Sequence, residues 1–352
     1  MEQILQEFKT RIAAASGAQP LQIRGGGSKH WYGQRPTGEL LDTGGYSGIV
    51  EYEPTELVIT ARCGTPLSEI DAVLAANHQV LAFEPPRFGG VATVGGMVAA
   101  GLSGPGRQFS GAVRDFVLGA DLMDAQGQIL HFGGQVMKNV AGYDVSRLLV
   151  GSLGTLGLIL HVSLKVLPQA LASSTRVFEV GQAEAISMLN AWGGQPLPLS
   201  ASAWINGVLT IRLSGAQAAV NEAVQQLGGA ELTNGDDFWR DLREQSHLFF
   251  ASAELPLWRL SVPSVAPPLA LDGIPLIEWG GAQRWYRGQH NAADIRAVAQ
   301  AAGGHASLHR GGDKSVGVFH PLAPALAKIH RNLKASFDPS GIFNPGRMYP
   351  DF

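Results

Sequence analysis

Residues 85–111, PPRFGGVATVGGMVAAGLSGPGRQFSG, carry eight glycines and only two charges, Arg87 and Arg107. Glycine pairs at 89–90 and 95–96 and the Gly-x-Gly at 104–106 remove side chains where backbone must approach something closely. They also permit positive φ, so successive N–H groups can curl into an anion-binding concavity. Such a segment can hold a phosphate-bearing ligand through its backbone. Glycine makes up 45 of the 352 residues, against a usual share of about 7%, so plain turns are the competing explanation. Two more segments weigh against it, Arg24–Lys29 (RGGGSK) upstream and Ala141–Gly157 (AGYDVSRLLVGSLGTLG) downstream. Three separated glycine-rich segments converging on one ligand form a nucleotide-site pattern, and the ligand inferred is FAD.

The upstream segment is neither of the common nucleotide loops. Gly25-Gly26-Gly27 misses the GxGxxG spacing, and Trp31-Tyr32-Gly33 follows where a Rossmann helix should begin. Ser28-Lys29 inverts the order that a Walker A loop requires. Backbone N–H groups can still cradle a pyrophosphate there, with the Ser28 hydroxyl and the charge of Lys29 or Arg24 beside them.

The rest of the chain must position these loops. A length of 352 residues with 45% hydrophobic content accommodates two domains. A net charge of −3 offers no Lys/Arg stripe for nucleic acid. Cys63 is alone, which excludes a disulfide framework or a cysteine-held cluster and fits a reducing cytoplasm. No signal-peptide core is present at the start. The longest uncharged run, Leu148–Leu164, is 17 residues with three glycines and is read as buried strand and turn.

Periodicity predicts a helix over Glu2–Ala15, a strand at Leu21–Arg24, and a strand–helix unit with Thr65 as N-cap and Pro66 at the first helical position. Strands follow at Val80–Phe83, Val117–Met123, Ile129–Phe132 and Leu158–Val166. Composition changes after Pro168, where the domain boundary is placed. Thr175–Gly229 reads β-α-β-β-α with an Asn206-Gly207 hairpin, the ferredoxin-like pattern. The tail FDPSGIFNPGRMYPDF is punctuated like an ordered loop. The tryptophans at 192, 204, 239, 258, 279 and 285 are read as core or interface anchors, and exposed ones as a docking surface for partners. Trp258-Arg259 and Phe249-Phe250 are the named contact candidates.

Taken together, RGGGSK, TVGGMVAAGLSGPGR, KNVAGYD, GSLGTLG and DPSGIFNPGR resemble the vanillyl-alcohol oxidase and p-cresol methylhydroxylase (PCMH) type of FAD proteins. The resemblance covers the first 168 residues and about the last 20. It implies an α+β fold, with a PCMH-type two-subdomain FAD-binding domain over 1–168, a short ferredoxin-like α+β cap over 169–330, and a segment 331–352 returning to the FAD domain. It further implies that Arg24, Gly25, Gly26, Gly27, Ser28 and Lys29, with Thr93, Val94, Gly95 and Gly96, hold the pyrophosphate. Ser103, Gly104 and Arg107 would lie along the flavin–ribityl part, and Gly142, Asp144 and Ile159 near the adenosine or flavin backbone contacts. Pro86 and Gly111, towards the ends of the organising segment, complete the set. Covalently flavinylated relatives place a His where Ser28 stands, so FAD is expected to bind non-covalently.

Departures from the family bear on catalysis. Relatives that oxidise 2-hydroxy acids carry HxGDGNxH in the cap; here LHRGGDKSVGVFH keeps Gly-Asp but breaks the spacing and lacks the asparagine. Leu153 replaces the Glu of GSEGTLG. His309 and His320 are therefore read as ordinary surface or strand-end histidines, with catalysis the competing reading, and no metal site is expected. The leading reading is a flavoprotein subunit of a complex that oxidises glycolate-type 2-hydroxy acids. Such a subunit would sit at the membrane only peripherally and depend on a catalytic FAD subunit and an iron–sulfur subunit for turnover. A self-sufficient small FAD oxidase and a non-catalytic assembly subunit stay open.

Overall fold

The computed structural model describes residues 1–134, 144–252 and 254–352. Helix α1 (Glu2–Ala14) is followed by parallel strands β1 (Leu21–Arg24) and β2 (Glu39–Asp42). Strands β3 (Ile49–Glu53) and β4 (Val58–Arg62) lead to α2 (Leu67–Ala75), β5 (Gln79–Val80) and α3 (Val94–Ala100). Two helical turns, α4 (Arg107–Ser110) and α5 (Val113–Phe116), precede β6 (Val117–Met123), β7 (Ile129–Gly133), β8 (Leu158–Lys165) and β9 (Leu167–Pro168).

The first sheet runs β3-β4-β8-β6-β7, all antiparallel. Its central strand β8, LILHVSLK, has little alternation because both faces are covered. Leu158, Leu160, Val162 and Leu164 join α2 and α3 in one core with Phe8 and Ile12 of α1. Each such fully buried side chain contributes about 1.5–3 kcal/mol. His161 is the polar exception in the strand, and it is satisfied: Tyr46 Oη lies 2.8 Å from Nε2 and Asp121 Oδ2 lies 3.0 Å from Nδ1. Helix α2 begins one residue later than expected. The Thr65 hydroxyl is engaged with the backbone of Gly48, donating to its carbonyl and accepting from its N–H, so it does not cap the helix.

The second sheet takes in β10 (Ala172–Glu179), α6 (Gln182–Gly193), β11 (Leu199–Ile205), β12 (Val208–Gly215), α7 (Gln217–Leu227) and β13 (Ala230–Glu231). At the β11–β12 turn Asn206 and Gly207 both have positive φ (47° and 85°), as that two-residue hairpin requires. The chain continues with α8 (Gly235–Glu244), β14 (Leu257–Ser261), β15 (Leu276–Glu278), β16 (Gln283–Arg287), α9 (Ala292–Ala301), β17 (His305–Arg310) and α10 (Pro324–Phe337). The ferredoxin-like unit is only half of this sheet. Edge strand β11 pairs with β15, and the order becomes β13-β10-β12-β11-β15-β16-β14-β17, eight strands in all. Trp204, Trp239, Trp258, Trp279 and Trp285 are buried in this region, as is Phe250. They anchor the core and so offer no exposed tryptophan surface for docking; Trp192 and Phe249 are half-buried.

Several contacts tie the sheets together. Trp279 Nε1 donates to the Gly104 carbonyl (3.0 Å), and the Arg107 guanidinium stacks 4.3 Å above the Trp279 ring. Glu84 pairs with Arg212 on β12 (2.6 Å), and Glu244 of α8 accepts from the N–H groups of Arg87 and Phe88. The C-terminal segment lies against the first sheet's side of the molecule. Phe343 bridges to Leu21, and Asn344 accepts from the Ile23 N–H (2.8 Å) and donates to the Leu153 carbonyl (2.6 Å). Lys334 is buried and donates to Asp338 (2.6 Å), the Thr155 carbonyl and the Phe343 carbonyl. Removing one partner of a buried pair leaves the other uncompensated. Lys334→Met is therefore expected to cost about 3–5 kcal/mol in urea unfolding followed by tryptophan fluorescence, with part of it recovered when Asp338→Asn is added.

Candidate functional site

The turn after β1 and the approach to α3 meet backbone to backbone. A Cβ at Gly25 would fall 2.3 Å from Thr93 Oγ1, and one at Gly26 would fall 1.3 Å from the Val91 carbonyl oxygen. These glycines are required by that contact. It leaves the loop's polar groups facing a cleft with about 600 Å³ of empty volume, lined by every residue from Gln22 to His30. Among the described residues, none of the N–H groups of residues 25–29 has a protein acceptor. Consecutive unpaired N–H groups at a glycine turn form an anion nest. Lys29 stands beside them, its ammonium pulled down to about 8 by burial, with Glu244 opposing the shift. It remains protonated at neutral pH.

The second segment contributes differently from the first. The N–H groups of Val94 and Gly95 donate to the carbonyls of Thr65 and Cys63, and Thr93 Oγ1 caps the Gly96 N–H. A Cβ at Gly95 would lie 2.7 Å from Cys63 Cβ, so this glycine serves the packing of α3 on β4. Val94 is fully buried. Gly96 faces the cleft; its Cβ direction meets only Thr93 Oγ1, at 3.2 Å. A second cavity shares Ile23, Gly25, Gly96 and Ala99 with the cleft and extends it to Gly157 and Ile159. Leu153, Asn344 and Arg347 complete the cleft wall. Gln22, Ile23, Asn344 and Arg347 were not singled out from sequence. The signal for the last two was FNPGR, whose polar residues sit in an otherwise apolar turn.

The remaining candidates are distributed elsewhere. Pro86, Ser103 and Gly104 line a separate cavity against the eight-stranded sheet. Arg107 is spent on Trp279. Gly111 ends α4 at φ 106°, with Asp115 in its Cβ direction at 3.2 Å. Asp144 pairs with Arg147 (2.8 Å) and accepts from the Ser146 hydroxyl. Gly142 lies outside the described residues.

The two histidines part company. His320 sits by His305 with ring centroids 6.4 Å apart, in a surface groove. His309 stands near the end of β17, as one of the two expectations had it, but not on the surface: it is 2% exposed and wedged against Trp31, Tyr32 and Trp285. Its Nε2 meets the Gln245 amide, and its Nδ1 is buried without a partner. Burial, then Arg259 and Arg310, hold its pKa well below the usual imidazole range, so it is neutral. It lines the same cavity as Ser103, together with Arg259, Glu278 and Trp285. Burial pushes the Glu278 carboxyl up to about 7, against hydrogen bonds from Trp285 Nε1 (2.6 Å) and Gln283 Nε2 (3.0 Å). An acid isolated in the apolar run PLIEW was the sequence signal for it. No group of three or more His, Cys, Asp or Glu residues suited to a metal occurs among the described residues.

Unpaired N–H groups at a glycine turn, opening on a long cleft, suit a phosphate-bearing cofactor, and comparison with known proteins makes the chain a flavoprotein whose cofactor is FAD. Residues 6–133 match the family model described as FAD binding domain. Alkyldihydroxyacetonephosphate synthase shares the fold, with a TM-score of 0.65 and 14% identity over 93% of this chain and 72% of that one. The glycolate oxidase subunit GlcE of Escherichia coli (strain K12) is 49% identical over 340 residues, 96% of this chain and 95% of that protein. D-lactate dehydrogenase of Archaeoglobus fulgidus is 35% identical over 43% of this chain and 34% of its own length. Glycolate oxidase subunit GlcD of Bacillus subtilis (strain 168) is 33% identical over 43% of this chain and 32% of its own length. The chain belongs to the GlcE family of FAD-binding oxidoreductases.

The residues present fit FAD on the structure's own terms, since the free N–H groups are the donors a pyrophosphate takes and Gly96 leaves the room it needs. Gly96→Asp puts a carboxylate into that space. It should abolish flavin absorbance in the purified protein while far-UV circular dichroism stays unchanged.

Proposed function

We propose that this chain is the FAD-binding subunit of a complex that oxidises glycolate, or a close 2-hydroxy acid, to the 2-oxo acid and passes the electrons on through partner subunits. The supporting observation is the unpaired N–H loop at 25–29, in a chain aligned along nearly the whole length of a glycolate oxidase subunit. Residues 25–29 receive the pyrophosphate with Lys29 as counter-charge, and the adenosine end follows the cleft towards Gly157 and Ile159. The flavin end approaches Pro86, Ser103 and Gly104 beneath the capping sheet. Residues 1–168 act as the FAD domain, 169–330 as the cap, and 331–352 as the segment that closes the cleft.

The cofactor is held without a covalent bond, since Ser28 stands where attachment would need a histidine. When bound, a flavin supplies a two-electron acceptor that can release its electrons singly. That suits a subunit between a substrate-oxidising centre and an electron sink. The partners in this reading are a catalytic FAD subunit and an iron–sulfur subunit, named for the electron path they complete. No helix among the described residues is long and apolar enough to cross a membrane; in this reading any attachment there runs through the partners.

The test is expression of the tagged chain alone and with its partners. Acid precipitation should leave the flavin in the supernatant. Glycolate-dependent dye reduction should be robust in the complex, at least about 100-fold lower for the chain alone, and lost from the complex when this chain is omitted. Full turnover by the chain alone would replace this reading with the self-sufficient oxidase. Full turnover by partners lacking the chain would replace it with an assembly role.

A further inference from the structure

A broad surface groove, lined by α9, β17 and the start of α10, lies at the end of the eight-stranded sheet where β17 is the edge strand. Its volume is about 1,090 Å³, above the usual range for small-molecule pockets, roughly 300–1,000 Å³. Helix α9 gives it small residues, Ala293 and Ala297, which stand four apart and so share one helix face. Larger apolar side chains come from Val316, Leu322 and Leu326, and Val316 and Leu326 are 42% and 50% exposed. Ile329, one turn further along α10, is 59% exposed. Apolar groups gathered in one groove, unlike single ones scattered over a surface, mark a contact site.

The charge of the groove is one-sided. Arg259 and Arg296 line it with His305 and His320, and no Asp or Glu is among its described lining residues, although the chain carries 29 acids to 26 bases. Asp294 of α9 is exposed but does not line it. Arg259 is half-buried, and among the described residues its guanidinium has no hydrogen-bond or ion-pair partner. Arg296 donates to the carbonyls of Val316 and Gly317 and stacks 5.6 Å from the Trp258 ring. These groups are neutral and leave its charge uncompensated, and its Nε is buried without a partner. Burial, then the neighbouring arginines, hold His305 and His320 below the usual imidazole range, so the two arginines are the standing charges at neutral pH. Partly buried guanidinium groups without a carboxylate are where an incoming acid forms its strongest hydrogen bonds.

We propose that this groove docks an acidic segment of a partner subunit, with its apolar side chains entering beside Ala293, Ala297 and Leu326 and its carboxylates meeting Arg259 and Arg296. The proposal rests on the complex reading above and adds to it the surface and the chemistry of the contact. The size of the groove suits a stretch of polypeptide, laid in by its apolar face. Its shape separates it from a membrane contact, which takes an apolar face that dips into the bilayer and not a recess. Its position suits electron exchange. The turn after β1 lines both the cofactor cleft, through His30, and the groove, through Tyr32. A partner seated there stands beside the segment that holds the cofactor. A second copy of this chain, carrying the same cofactor, would complete no electron path.

The experiment is purification of the tagged full chain co-expressed with its partner subunits, with the partner-to-chain ratio read for parent and variants. Ala297 and Leu326 are exposed and lie outside the cofactor cleft. Ala297→Glu and Leu326→Glu each put a carboxylate into the groove. Each should cut the ratio at least about tenfold, whereas Ala297→Lys, larger but of opposite charge, should keep it within about twofold. Cys63 is the chain's one cysteine and is buried, so Ala297→Cys supplies a unique accessible thiol for a maleimide–benzophenone photo-cross-linker. Irradiation of the labelled complex should join it to one partner segment of net negative charge, identified by mass spectrometry. Circular dichroism and flavin absorbance check that every variant is folded and loaded. Glu variants that match the parent, Glu and Lys variants that lose the partner alike, or cross-links that are absent or confined to lipid, to a second copy of this chain or to a segment without net negative charge would each overturn the proposal. A parent chain that copurifies with no partner would overturn the complex reading itself, and this proposal with it.

Discussion

The cofactor half of this molecule depends on one backbone contact, Gly25–Gly26 against Val91–Thr93. No side chain can come between these segments, since Cβ atoms there would meet Thr93 Oγ1 at 2.3 Å and the Val91 carbonyl at 1.3 Å. Among the described residues the N–H groups of residues 25–29, which line the cleft, have no protein acceptor. Half-buried or exposed as they are, they are open to water. The loop is pre-shaped, and the C-terminal segment holds that shape. Asn344 fixes the strand entering the loop through the Ile23 N–H and fixes the opposite wall through the Leu153 carbonyl.

The capping sheet is fastened by polar contacts at the rim of its cavity. Trp279 on Gly104, Arg107 on Trp279, and Glu244 on residues 87–88 all attach to the glycine-rich segment 85–111. A shift of the eight-stranded sheet is therefore felt at that segment. Glu244 of α8 also opposes the burial-driven fall of the Lys29 pKa, so this side of the molecule contributes to the electrostatics of the glycine turn.

Much of this was legible in the sequence, for identifiable reasons. Glycine clusters announce close backbone approach, and Gly25–Gly26 against residues 91–93 show it; Gly96 instead lines the cleft. The same reasoning overreached at Val94 and Gly95, because a glycine before a helix reads alike whether it serves a ligand or, as here, packing against Cys63. The Asn-Gly hairpin and the ferredoxin-like unit were local signals. The sheet's extension to eight strands rests on β11 pairing with β15 about 70 residues away, which no local pattern encodes. For the tryptophans the sequence left core and interface both open, because size and polarity suit the two equally; burial makes five of them core. The burial of His309 was not legible because the rings that enclose it, Trp31, Tyr32 and Trp285, are not its neighbours in sequence.

The central claim is that the free N–H groups of residues 25–29 receive the cofactor's phosphates. Amide hydrogen exchange of that loop, compared between the flavin-loaded chain and the same chain stripped of flavin, addresses it most directly. The account predicts protection of at least about tenfold at residues 25–29 on loading, with little change in β12 or α7. Equal exchange at 25–29 in the two forms, with flavin demonstrably bound in one, would contradict it.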